Sequence, residues 1–213
     1  MDSCCESKSE ELELLKAGHK KVLQIVLVIN VVLFIVELTA GLLANSTALL
    51  ADSLDMFGDS LVYGFSLYVL WRSAEWKAVA AILKGAIMAV FGVGVLVEAA
   101  YKMLADVVPS AETMGLIGLL VLFGNGLCFL LLYRHRSDDL NMRSTWLCSR
   151  NDIIANVSVL VAAGGVAYFR ALWPDVLVGA VIATLFLRTA VTVLRESLHE
   201  YRDLKSVHVL DRA

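Results

Sequence analysis

Proline is scarce in this chain, two in 213 residues. With so few breaks, its long apolar runs can continue as helices. An excess of basic residues is lacking as well. The net charge is −3 and the isoelectric point about 5.8, which excludes the electropositive footprint of a nucleic-acid-binding surface. Aromatic residues make up 8%, so no base-stacking face is offered. The four cysteines are Cys4, Cys5, Cys128 and Cys148. Two are adjacent in a polar tail and two lie in apolar stretches, which is not the spacing of a disulfide framework. No phosphate-binding loop and no nucleophile–base constellation is present, so an enzyme has no support. The first apolar run follows about twenty polar and charged residues, is too long for a leader and lacks a clear cleavage site, so it is expected to stay as a span.

What is abundant is apolar length. Hydrophobic residues reach 59% and mean hydropathy is +0.74, the composition of a polytopic membrane protein. The expected fold is all-α with six transmembrane helices, at about 22–43, 48–71, 78–101, 113–133, 145–172 and 176–194. They divide the chain into an N-terminal tail (1–20), a six-helix transmembrane domain (21–197) and a short C-terminal tail (198–213), with no room expected for a further domain. Residues 10–21 have the pattern of a short amphipathic surface helix. Thr47 is expected to cap the second helix, and Pro174 to sit in the first turn of the sixth. Of the 18 Lys and Arg residues, thirteen fall in the two tails and the 2–3 and 4–5 loops. Lys102 and Arg170 fall on the other side, and Lys84, Arg150 and Arg188 within spans. The positive-inside rule then places both termini in the cytoplasm.

The second span carries Asp52, Asp55 and Asp59. Spacings of three and four put all three on one helical face. A carboxylate at mid-bilayer depth costs at least about 3 kcal/mol and marks function by default. The fifth span carries Cys148 and Asp152, again four apart, with Asn156 one turn further on. Counting about 1.5 Å per residue from the outer turns, Asp59 and Asp152 lie within one turn of the same depth. Two such pairs can meet as four ligands, O, O, O and S, which suits a tetrahedral Zn²⁺ or Cd²⁺ better than Mg²⁺ or Ca²⁺. Asp55, Asp59, Cys148 and Asp152 are therefore the expected metal ligands. Asp52 and Asn156 are expected beside them as supporting or proton-pathway groups.

The residues from Glu37 to Asp59 (ELTAGLLANSTALLADSLDMFGD), the CSRND stretch from Cys148 to Asp152, and Pro174-Asp175-Val176 with the apolar run after it resemble the cation diffusion facilitator family of divalent-metal/proton antiporters. The resemblance covers about residues 22–197. Asp55 and Asp59 match the family's ligand pair of the second span, and Cys148 and Asp152 occupy that of the fifth, with Cys where His is usual. The resemblance implies an efflux transporter for Zn²⁺, or for Cd²⁺, Co²⁺, Fe²⁺ or Mn²⁺, in exchange for protons. It also implies a homodimer in a lipid bilayer, expected to be a bacterial inner membrane. It implies no resident cofactor, the metal being substrate. The family's cytoplasmic C-terminal domain is expected to be lacking. A non-transporting metal sensor or assembly protein, or a channel, is the competing class.

Other polar residues have plainer expectations. Cys128 reads as a small buried hydrophobe. Glu37, Lys84, Glu98 and Arg188 read as interhelical ion pairs, and Asn151 as a packing group. The glycines at 85, 92, 94, 115, 118, 124 and 126 read as close-packing points. Trp71, Trp76, Trp146 and Trp173 read as interfacial anchors. Cys4, Cys5 and His19 read as tail groups able to collect metal.

Overall fold

Three turns at one end of the molecule set its topology. In the computed structural model, residues 17–69, 74–133 and 140–210 are described; the side chains at 17–21, 23, 62–69, 74–75, 77, 140–150 and 204–210 are not among them. The described residues form six helices: α1 (Ala17–Ala44), α2 (Thr47–Val69), α3 (Ala74–Ala105), α4 (Ala111–Tyr133), α5 (Leu140–Phe169) and α6 (Trp173–Leu210). Each odd-numbered helix ends in a non-glycine residue of positive φ: Asn45 (52°), Asp106 (50°) and Arg170 (52°). After α1, Ser46 N–H donates to Gly41 O at 2.9 Å and Asn45 N–H to Leu42 O at 3.4 Å. That is a Schellman stop with Asn in the left-handed position. After α5, Arg170 N–H donates to Val166 O at 2.8 Å, the single-bond form of the same stop. Ser110 N–H donates to Ala44 O at 3.0 Å, which ties the start of α4 to the end of α1.

The expected all-α architecture is found. Five helices hold stretches long and apolar enough to cross a membrane: Gln24–Ala44, Ala78–Ala105, Ala111–Tyr133, Asn151–Phe169 and Trp173–Asp203. The exception is α2. Its 23 residues would reach about 34 Å at 1.5 Å per residue, long enough to cross, but every 18-residue stretch of it includes Asp52, Asp55 and Asp59.

Packing accounts for those charges. From Ser46 to Asp59 every residue of the α2 region is buried or half-buried. In the five apolar spans only 28–39% of the residues are buried. Helix α2 packs on α1, α3, α6 and, less extensively, α5. The main core joins Leu49 and Leu54 of α2 to Met88 of α3, Met114 of α4, Val159 and Val166 of α5, and Phe186 of α6. The outer surface is apolar, with Leu104, Phe123, Leu43 and Tyr168 strongly exposed, as lipid-facing residues are. Trp76 and Trp173 are about half exposed near helix starts.

Several expectations are corrected. Ser46, not Thr47, is the side chain that caps α2, its Oγ accepting Leu49 N–H at 3.1 Å. Thr47 is already the first helical residue. The polar stretch after residue 194 continues α6 as helix to Leu210. There, exposed His199 and Asp203 lie one turn apart with 2.8 Å between Nδ1 and Oδ2. Gly85, Gly118 and Gly124 are close-packing points: a Cβ on each would come within 2.7–2.9 Å of Leu194, Leu160 and Leu33 respectively. Gly94, Gly115 and Gly126 have nothing within 4 Å of that position. Glu98 pairs with Lys102 at 2.7 Å along α3 itself, not with another helix. Of the surface helix expected over residues 10–21, residues 17–21 form the start of α1 instead; residues 10–16, Cys4, Cys5, Trp71, and the side chains of Trp146, His19 and Arg150 lie outside what is described.

Candidate functional site

Helix α2 is held in place from the far end of the sequence. Asp175, in the first turn of α6, is fully buried. Its Oδ1 accepts Ser46 Oγ–H at 2.6 Å and Ala48 N–H at 3.0 Å. Its Oδ2 accepts Thr47 N–H at 2.7 Å. A carboxylate at a helix N-terminus meets the unpaired N–H groups and the positive end of the dipole. The two chains touch there: a Cβ at Gly179 would lie 2.7 Å from the Thr47 carbonyl carbon. Only glycine allows α6 to come so close.

One turn and a half further along α2, the acidic face begins. Asp52 is fully buried. Its Oδ2 accepts Asn156 Nδ2–H of α5 at 2.7 Å. Asn156 Oδ1 in turn accepts Asn125 Nδ2–H of α4 at 3.0 Å. Both asparagines are buried, so a polar chain crosses α2, α5 and α4. On α1, the Glu37 carboxyl is fully buried and lies within hydrogen-bonding reach of Asp52. No donor among the described residues reaches either Glu37 oxygen or Asp52 Oδ1.

The Asp52–Asn156 bond fixes the register of α2 against α5, which run antiparallel because each follows a turn in the up-and-down order. At about 1.5 Å per residue, Asp55 and Asp59 lie about 4.5 and 10.5 Å inward of Asp52, and Asp152 and position 148 about 6 and 12 Å inward of Asn156. Asp152 thus falls at a level between Asp55 and Asp59, and position 148 near Asp59. The electrostatics agree with this. Asp152 acts on Asp52, Asp55 acts on Glu37, and both Asp152 and Asp59 act on Cys128 of α4. Asp59 is buried, Asp55 and Asp152 half-buried, and each has polar or electrostatic contacts.

The expected ligands share a level without closing into a cluster. Among the described residues, no three Asp, Glu, His or Cys side chains gather tightly enough to hold one ion. The Cys148 side chain is outside the described set; its backbone lies on α5. Asn156 and Asp52 bond to each other about one turn outward of Asp152 and Asp55. Cys128 packs with Val26 and Leu132, the small-hydrophobe role expected of it. Asn151 is exposed, not a packing group. Two polar residues next to Asp52 and Asn156 escaped the sequence reading. Asn125 had a usable signal, since an Asn inside an otherwise apolar span is costly without a partner. Glu37 was seen but matched to a cation, whereas its neighbour is another acid.

A bundle of apolar helices around one buried, acid-bearing helix defines an integral membrane protein that handles charge inside the bilayer. The family follows from comparison. The cation efflux transmembrane domain matches residues 23–200, and the chain belongs to that family, the cation diffusion facilitators. It is 27% identical over 204 residues to a cadmium, cobalt and zinc/H⁺–K⁺ antiporter of Bacillus subtilis, covering 86% of this chain and 64% of that protein. It is 24% identical over 198 residues to the zinc transporter ZitB of Yersinia pestis, covering 86% and 63%. It is 24% identical over 211 residues to the metal cation efflux system protein CzcD of Cupriavidus metallidurans, covering 89% and 66%. The chain therefore spans less than two thirds of the length of these relatives. The family, the apolar helices and the bacterial relatives make it a multi-pass protein of a bacterial inner membrane.

Proposed function

We propose that this protein exports a divalent transition-metal ion from the cytoplasm, Zn²⁺ first and Cd²⁺ next, in exchange for protons. Asp55 and Asp59 of α2 and Cys148 and Asp152 of α5 take the ion. The observation that carries the reading is the Asp52–Asn156 bond at 2.7 Å, because with that register, at about 1.5 Å per residue, Asp152 comes at a level between Asp55 and Asp59 and position 148 near that of Asp59. Named relatives that move cadmium, cobalt and zinc support the substrate class. The Cys thiolate favours the softer ions among them.

Ligands must be deprotonated to bind, so metal entry releases protons to the cytoplasmic side. Opening of the helices to the other side lets protons return and the metal leave. In this reading α2 and α5 close on the ion to complete the shell. A homodimer, with both termini in the cytoplasm, is part of this proposal and rests on the family.

The test is zinc uptake into inside-out vesicles under an imposed proton gradient. Wild type accumulates zinc; Asp59→Ala and Asp152→Ala, folded by size exclusion, do not. Uptake that survives collapse of the gradient would remove proton exchange and leave a facilitator. A wild type that moves neither zinc, cadmium, cobalt, manganese nor iron, but loses thermal stability on removal of metal, would make the protein a sensor or assembly factor with a structural site.

A further inference from the structure

Two acids, Glu37 of α1 and Asp52 of α2, face each other away from the molecular surface. Glu37 has no exposed surface and Asp52 is 1% exposed. Asn156 occupies Asp52 Oδ2, and Asn125 holds Asn156 in the orientation that presents its amide N–H₂. Asp52 Oδ1 and both Glu37 oxygens are left without an N–H or O–H from another described residue. The two carboxyls are nevertheless within hydrogen-bonding reach. A bond between two carboxyl groups exists only while a proton sits between them. Two carboxylates at this depth would each carry the cost of a buried charge and would repel one another. One shared proton removes one charge and supplies the missing donor.

Among the described residues, the groups named as acting on the two carboxyls include no cation. The charged groups that act on Glu37 include Asp52 and Asp55. Those that act on Asp52 include Asp152 of α5. From α4 the neighbouring polar groups are Asn125 and Cys128, neither of them a cation at neutral pH. Buried Lys84 belongs to α3, which packs on α2 and α6.

We propose that Glu37 and Asp52 share one proton and give it up when a metal ion occupies the acidic level one turn inward. The second half rests on the proposed transport site. The exchange balances in charge and atoms: Glu37-COOH with Asp52-COO⁻ becomes two carboxylates and one H⁺ passed to solvent, as a divalent ion arrives beside Asp55 and Asp152. No bond to the metal is made by Glu37. The proton counted against the metal is thereby carried on a helix, α1, that bears none of the proposed ligands.

The test uses the full chain in lipid nanodiscs and has two readouts. Infrared difference spectroscopy of the protonated-carboxyl C=O stretch needs no metal. Glu37→Gln should lose a buried-acid band, because the Gln amide can donate to an ionised Asp52. Asp52→Asn should shift that band, because Glu37 then meets an amide. Titration with zinc in weak buffer counts protons released per ion. Glu37→Gln should release one fewer than wild type, with zinc affinity kept within a few-fold. A band that neither variant alters overturns the shared proton. A band that responds, with an unchanged proton count in both variants, overturns its exchange. If wild type binds no ion at all, the transport reading fails while the infrared result still decides the pair.

Discussion

Asp175 does for α2 what a local residue ordinarily does. A helix N-terminus leaves N–H groups unpaired, and here the first two helical ones and the Ser46 hydroxyl all point at one carboxylate from another helix. Each such charged, buried bond contributes about 1.5–3 kcal/mol, and removing the acceptor strands the donors. Asp175→Ala should therefore lower the thermal midpoint in detergent by several degrees, and Asp175→Asn, which keeps one acceptor oxygen, by clearly less. Differential scanning fluorimetry reads both; equal loss would mean the cap contributes through packing alone. The partner residues are 127–129 positions apart, which is why the sequence pointed to Thr47 as the local cap and gave Asp175 no capping role. The Asp52, Asp55, Asp59 face was legible because its period is internal to one helix. The Glu37–Asp52 pairing was not, because two acids facing each other contradict the rule of opposite charges until a proton is counted.

Helix α2 owes its course to how closely its neighbours approach. The span boundaries were readable from apolar length, and five of the six helices announce themselves that way. What the composition hid was which helix lies inside. The clue was the acids: only a helix shielded from lipid on all sides tolerates three. Glycine spacing misled in part, since Gly94, Gly115 and Gly126 face open space while Gly179, unremarked, meets α2 backbone. The consequence is testable at the level of helix packing. Gly179→Ala must push α6 off the first turn of α2, because the atoms met are backbone at 2.7–2.8 Å and cannot swing aside. It should lower the thermal midpoint and, under the proposed function, zinc uptake. Gly94→Ala, with no neighbour to displace, should leave both near wild type. A Gly179→Ala protein as stable and active as wild type would mean that the α2–α6 contact opens freely.

At the scale of the molecule, the acid-bearing helix decides the topology. Counting apolar spans alone among the described residues gives five, an odd number that would put the two ends of the chain on opposite faces. The structure argues for six crossings. Helices α1 and α2 are joined by the tight Asn45–Ser46 turn and pack side by side. The starts of α2, α4 and α6 meet at one end, through the Ala44–Ser110 and Ser46–Asp175 bonds. If α2 did not cross, that end could not gather all three odd–even turns. Reporter fusions make the distinction directly. A fluorescent protein that matures only in the cytoplasm, fused in turn to each terminus, should light up at both ends, as the distribution of Lys and Arg also requires. Signal at one end alone would make α2 a re-entrant element, and its carboxylates would then face a vestibule open to one side. In that arrangement a metal ion could be bound but not passed across, because Asp55 and Asp59 would never be presented to the second face. Two fluorescent ends keep α2 as a crossing helix whose carboxylates lie between the two faces, as the proposed passage of an ion through one site requires.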